Sequence, residues 1–281
     1  MKKTIFTLVI VLVFLVGLSV MLYPYVADYF NSIRQSRVVA QYYRDLETLT
    51  QEDFSELFAV ARVYNEKLIR KTNRFILTDE EIEEYQRLLN PFGNGIMGTL
   101  IIDAIDVRLP IYHGTDAGVL QIGAGHFEGT SLPIGGPGTH AVITGHRGLP
   151  TATLLTKLDR MAIGDTFVLD VLNETMTYMV DQILVVEPYE MDALVIEAGK
   201  DMCTLITCTP YGINSHRMLV RGQRTANAEQ TGGDPVYLAE ISDANIIAAV
   251  IVGAFMAIPA LVAVAVVLCV RLHRILYRSK K

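Results

Sequence analysis

The chain has 281 residues, 51% of them hydrophobic, with 24 basic and 30 acidic residues and only three cysteines. Every acidic residue lies between Asp28 and Asp243, and that stretch holds 17 cations against 30 anions, a net charge of −13. Such a segment repels nucleic acid and does not lie flat on anionic lipid, and the cysteines fit neither a disulfide scaffold nor a zinc site.

Residues 5–20 form an uncharged apolar run behind Lys2 and Lys3 that extends through Tyr23 and Tyr25 to Ala27. No small-x-small site ending in Ala follows it cleanly, so residues 1–27 read as a transmembrane segment or signal anchor in preference to a cleaved leader. Residues 31–90 carry apolar side chains at helical spacing, first Val38, Val39, Tyr42, Leu46 and Leu49, then Phe54, Leu57, Phe58, Ala61 and Leu68. Thr78 with Glu81 three residues on predicts a capped third helix, which Pro91 and Gly93 end. Its acidic pairs, Glu80-Glu81 and Glu83-Glu84, read as a solvated helix face and not as a calcium site. Residues 28–95 are thus a helical arm.

From residue 96 to 225 the pattern changes to short β-type runs, at 99–103, 107–112, 141–144, 166–171, 175–186, 202–207 and 218–220, with one brief helical piece at 152–158. This predicts a mainly β unit, a closed barrel or a sandwich, with no βαβ crossover series. Residues 226–243, with Gly232-Gly233 and Pro235, read as a linker. Residues 246–270 lack any charge, so 244–270 predict a second spanning helix for a hydrocarbon core of about 30 Å, followed by a basic tail at 271–281. Cations outside both spans place both tips in the cytoplasm and the segment between them outside it, with the lipid bilayer as a partner.

Cys269 falls in the second span. Cys203 and Cys208 stand five residues apart on one extended run, about 16 Å, with side chains on opposite faces, and therefore cannot bridge. An unpaired thiol outside the cytoplasm points to catalysis. Cys208 closes its strand, Pro210 stops it, and Arg217 opens the next strand, so a nucleophile and a permanent cation share one sheet rim. The thiol needs a proton carrier. His146, between Gly145 and Gly148 after the run 140–144, is the leading candidate; His216 competes, His126 and His140 read as turn-pinning residues, and His273 is cytoplasmic. Arg217 would hold a carbonyl oxygen as charge develops on it. This set points to thiol acyl transfer.

Residues 204–222, TLITCTPYGINSHRMLVRG, resemble the active-site signature of the class C, pilin-polymerising branch of the sortase family; 144–149 (TGHRGL) resemble its histidine motif and 129–136 the loop before it. The resemblance implies an eight-stranded sortase β-barrel. It also implies His146, Cys208 and Arg217 as catalytic, Thr207 and Thr209 as oxyanion or substrate-positioning residues, and no cofactor or metal. The implied substrates are pilins or other surface proteins with a C-terminal L-P-x-T-G-like sorting signal. The implied acceptor is a pilin Lys amine, or, as the alternative, cell-wall peptidoglycan; a non-catalytic assembly partner is the remaining reading. The family's lid carries Asp-Pro-aromatic. Here 78–81 keep Asp79 as the possible lid residue but put Glu80 and Glu81 after it, and Asn90-Pro91-Phe92 abuts the Gly93 turn. The expectation is an arm that does not plug the site as the usual lid does.

Overall fold

The structure, a computed structural model, describes residues 2–227 and Gly253. The chain divides into two compact units, one of residues 31–233 and one of 1–30 with 234–281. The smaller unit is described only through the start of helix α1 (Lys2–Leu46), where Phe6, Phe14, Val20 and Met21 are solvent-exposed. Among the described residues this is the one helix long and apolar enough to cross a membrane. The second expected span, Gly253 excepted, the linker beyond Asn227 and the basic tail lie outside the described residues.

In the larger unit the rest of α1 buries Val39, Tyr42 and Leu46, and α2 (Gln51–Ile69) buries Phe54, Phe58, Ala61 and Leu68, the residues that the helical spacing singles out. Reciprocal capping boxes open α2 at Thr50/Asp53 and α3 (Asp79–Arg87) at Thr78/Glu81, each satisfying two backbone donors that a helix start leaves unpaired. The acidic face of α3 is engaged in ion pairs, Glu81 with Lys71 and Glu84 with Lys67.

Eight strands follow: β1 (Ile96–Ile102), β2 (Val107–His113), β3 (Ala124–His126), β4 (Thr139–Thr144), β5 (Thr166–Val171), β6 (Glu174–Val186), β7 (Asp201–Thr209) and β8 (His216–Arg224), with α4 (Ala117–Ile122) between β2 and β3. They close into a barrel in the order β1-β2-β3-β4-β7-β8-β6-β5, which leaves no unpaired edge. Alternation along the strands sends Leu100, Ile102, Ile143, Leu169, Cys203, Leu205 and Val220 into the core, where Phe167 and Tyr178 stack at 5.5 Å. Fully burying each large apolar side chain contributes roughly 1.5–3 kcal/mol.

The arm is joined to the barrel by polar contacts as well as packing. Tyr42 Oη donates to the Met97 carbonyl and accepts from Leu172 N–H. Buried Asn65 of α2 pairs its side-chain amide with both backbone groups of Leu132, at 2.7 and 3.2 Å. Tyr85 of α3, fully buried, accepts from Gly114 N–H and meets Nδ1 of His126 at 2.9 Å.

The structure differs from the sequence-based expectation in three places. Strand β3 is only three residues long, one of them Gly125, and shows no alternating pattern; a Cβ at Gly125 would lie 2.2 Å from the Gly114 carbonyl oxygen. The β2-α4-β3 segment is a parallel crossover, and β4 pairs with β7 in parallel too, so crossovers are present. The expected helix at 152–158 is instead a set of turns, with Leu154 at φ 39, ending in a 3-10 turn at Leu158–Arg160. Past the end of β8, Thr225 N–H donates to Thr177 O, and the Asn227 side chain pairs with Thr175 and Thr177.

Candidate active site

Strands β7 and β8 are antiparallel with Cys208 directly opposite Arg217, and directly opposed residues present side chains on one face. Inward residues on β7 are Cys203 and Leu205, whereas Ile206 packs in a second, outer cluster with Val142, Val186, Leu194 and Leu219. Cys208, two residues after Ile206, therefore belongs to the outer face. Cys203, in the barrel core, has its thiol pushed well above its ordinary value by burial. Iodoacetamide is accordingly expected to modify Cys208 and spare Cys203 in the native protein, as read by peptide mass spectrometry. Equal labelling of the two would mean that the barrel opens.

His146 reaches the same place by register. Thr144 pairs with Ile206 in the parallel β4/β7 ladder, and the alignment continues past the last ladder pair. Gly145 N–H donates to Ile206 O at 3.0 Å, Thr207 Oγ1 donates to Gly145 O at 2.8 Å, and Arg147 Nη1 donates to Thr209 Oγ1 at 3.2 Å. His146 sits between these ties, and the register carried on from Thr144 and Ile206 sets it level with Cys208. Gly145 precedes it because a Cβ there would come within 2.7 Å of Leu155. Burial pushes the imidazole of His146, half-buried, below its ordinary value. A neutral imidazole accepts a thiol proton, and its cation readily gives that proton up again.

The remaining candidates fall elsewhere. His216 is half-buried, with Ser215 Oγ at 2.8 Å on one ring nitrogen and Glu187 at 3.3 Å from the other. His140 bonds Val195 O and Thr204 Oγ1, and His126 is enclosed by Tyr85, Thr130 and Ser131; both are structural anchors, as turn-pinning residues should be. Thr207 and Thr209 flank Cys208 on the opposite side of the strand, and their hydroxyls are held at the end of β4 by Gly145 and Arg147.

Asp79 is the exposed first residue of α3, and Arg217 Nη1 donates to the carbonyls of Asn214 and His216, with no ion pair to a carboxylate among the described residues. The loop before α3 lies on other parts of the barrel: Arg74 Nη2 donates to Leu194 O at 2.6 Å, and the Phe75 ring packs on Phe127 at 5.7 Å. Among the described residues no hydrogen bond or ion pair joins that loop to Cys208, His146 or Arg217. Sequence reasoning passed over Arg147 and Asp159, whose ion pair forms beside the site; the eleven residues between them contain no pattern that announces it.

Comparison with known proteins agrees with this architecture. The profile of the sortase domain matches residues 100–225. Among curated proteins, sortase D of Bacillus subtilis (strain 168) is 28% identical over 130 residues, which cover 45% of this chain and 63% of that protein, just under two thirds of its length. Among solved structures, sortase C1 of Streptococcus agalactiae is 43% identical with a TM-score of 0.66, covering 68% of this chain and 100% of that one. Sortase C of Streptococcus pneumoniae is 42% identical with a TM-score of 0.62, covering 68% and 97%. Sortase C-1 of Actinomyces oris is 43% identical with a TM-score of 0.57, covering 62% and 99%. On the match to the whole of the Streptococcus agalactiae chain, this protein belongs to the sortase family of cysteine transpeptidases, with class C sortases as its structural relatives.

Proposed function

We propose that this enzyme joins pilin subunits. Cys208 is the nucleophile, His146 the acid and base, and Arg217 the holder of the substrate carbonyl. The thiolate attacks the Thr carbonyl carbon of an L-P-x-T-G-like signal, and Arg217 with backbone N–H groups near Cys208 stabilises the oxyanion. The Thr–Gly C–N bond breaks as imidazolium protonates the leaving amine, and a thioester remains on Cys208. A pilin Lys amine then attacks the thioester, gives its proton to His146 and releases the thiolate, leaving an isopeptide bond.

The observation that carries this reading is the direct pairing of Cys208 with Arg217 while the end of β4 brings His146 alongside. Support for pilin as substrate comes from the class C relatives, one of them described for its pilin substrate specificity. The N-terminal apolar helix and the charge distribution support a membrane-anchored enzyme with its barrel outside the cytoplasm.

The test uses the full chain in detergent with a peptide carrying the sorting signal. A mass increase on Cys208 equal to the peptide acyl portion is expected, followed by transfer to a Lys-bearing pilin peptide in preference to oligoglycine. Absence of any adduct while iodoacetamide still labels Cys208 would sink the enzymatic reading, and preference for oligoglycine would assign wall anchoring instead.

A further inference from the structure

His146 stands on a weak stretch of chain. The β4 ladder ends at Thr144, a glycine precedes His146, and Gly148, two residues on, has φ 75. Its own carbonyl accepts from Leu155 N–H, but nothing in that bond fixes the distance from His146 to β7. Yet a proton carrier must keep hydrogen-bond reach of its thiol, and a displacement of about 1 Å costs on the order of 10²-fold in rate.

Gly145 ties the chain to β7 just before His146, and Arg147 supplies the tie just after it. Its side chain is only 8% exposed, and its guanidinium meets three residues on two separate segments. Nη1 donates to Thr209 Oγ1, Nη2 pairs with Asp159, and the plane lies 6.0 Å from the Tyr211 ring centroid. Thus the residue after His146 is bonded to the residue after Cys208, and Asp159 balances the cation. A guanidinium suits this because its planar fork holds two acceptors in fixed directions, which an ammonium does not. We propose that Arg147 is a positioning residue that sets the separation of His146 and Cys208 by linking the end of β4 to the end of β7, with Asp159 as its anchor.

The inference rests on His146 and Cys208 acting together but not on the identity of the substrate, so one readout is the rate of Cys208 alkylation by iodoacetamide, which needs no peptide. Arg147→Met is expected to slow both alkylation and peptide acylation, with kcat falling about 30- to 100-fold and KM within about threefold. Thr209→Val should lower kcat about five- to tenfold, Thr209→Ser should restore it, and Arg147→Met with Thr209→Val should be no slower than Arg147→Met alone, because both remove one bond. Thr209→Val and Thr209→Ser, which leave the buried guanidinium in place, decide the matter if Arg147→Met does not fold. Wild-type kcat and alkylation in Thr209→Val, multiplicative losses in the double variant, or losses confined to KM would each overturn the proposal. Failure of every peptide to react, with alkylation still slowed by Thr209→Val, would refute the proposed substrate and leave this inference standing.

Discussion

Replacing Cys208 by Ala is expected to abolish thioester formation, a loss of about 10⁴-fold or more, since Cys203, the other thiol among the described residues, is buried in the barrel core. The neighbouring substitutions grade the effect. Arg217→Ala, which removes the cation opposite Cys208, should lower kcat about 10²- to 10³-fold with less change in KM, because its bonds to carbonyl oxygen strengthen only as charge develops there. Arg217→Lys should recover only part of this, a point charge replacing a two-pronged donor. His146→Ala should approach the Cys208→Ala loss, and combining the two should add little, since nucleophile and base act as one unit. Single-turnover acylation with a sorting-signal peptide, followed by mass spectrometry, measures each. Retention of more than a tenth of wild-type kcat by His146→Ala would move the proton carrier elsewhere, with His216 next in line.

The largest effect on stability is expected at Tyr85, far from that chemistry. Its hydroxyl accepts from Gly114 N–H and lies within hydrogen-bond distance of His126 Nδ1 and O, all inside the packed seam between α3 and the barrel. Tyr85→Phe keeps the ring but leaves a buried donor and a buried ring nitrogen unpartnered, which costs about 2–4 kcal/mol. For a unit of this size the loss corresponds to roughly 6–12 °C in Tm.

The same cluster makes the fold acid-labile. Burial pushes His126 down to about 4, and it pushes His113 and His140 down as well. These groups fold neutral, whereas the unfolded chain takes up protons near pH 6.5, so the unfolded state binds more protons between the two values. The His126 contribution is therefore complete above pH 6.5 and is lost as pH falls toward 4, amounting to about 3 kcal/mol. Chemical denaturation of the wild type at pH 7.5, 6 and 4.5 should show this fall. In His126→Gln the slope between pH 6.5 and 4.5 should shrink, and an unchanged slope would assign the acid sensitivity to other groups.

Much of the chemistry was written in residue types and local pattern. A lone thiol that closes a strand, an Arg that opens the next and a His in a glycine-flanked turn are legible because reactivity belongs to the side chain and strand ends are marked by Pro and Gly. The helical arm was legible for the same kind of reason: periodic apolar residues and the Thr78/Glu81 box act within a few residues of one another. Strand β3 was not, since three residues carry no period and their pairing comes from partners that are distant or reached through a crossover. Nor was the helix-like stretch at 152–158, where the positive φ of Leu154 breaks what propensity would allow.

The sequence by itself determined which reactive side chains are available, the helical arm and the separation of a charged stretch from apolar ends. Only the tertiary structure decided that β4 lies parallel to β7 with Gly145 bonded to Ile206 and Thr207, that Arg217 donates to the carbonyls of Asn214 and His216, and that Arg147 bridges the two strand ends onto Asp159. The physical reason is that register between residues 62 apart in the chain is set by how the whole barrel closes and packs, a quantity spread over all eight strands and carried by no single segment.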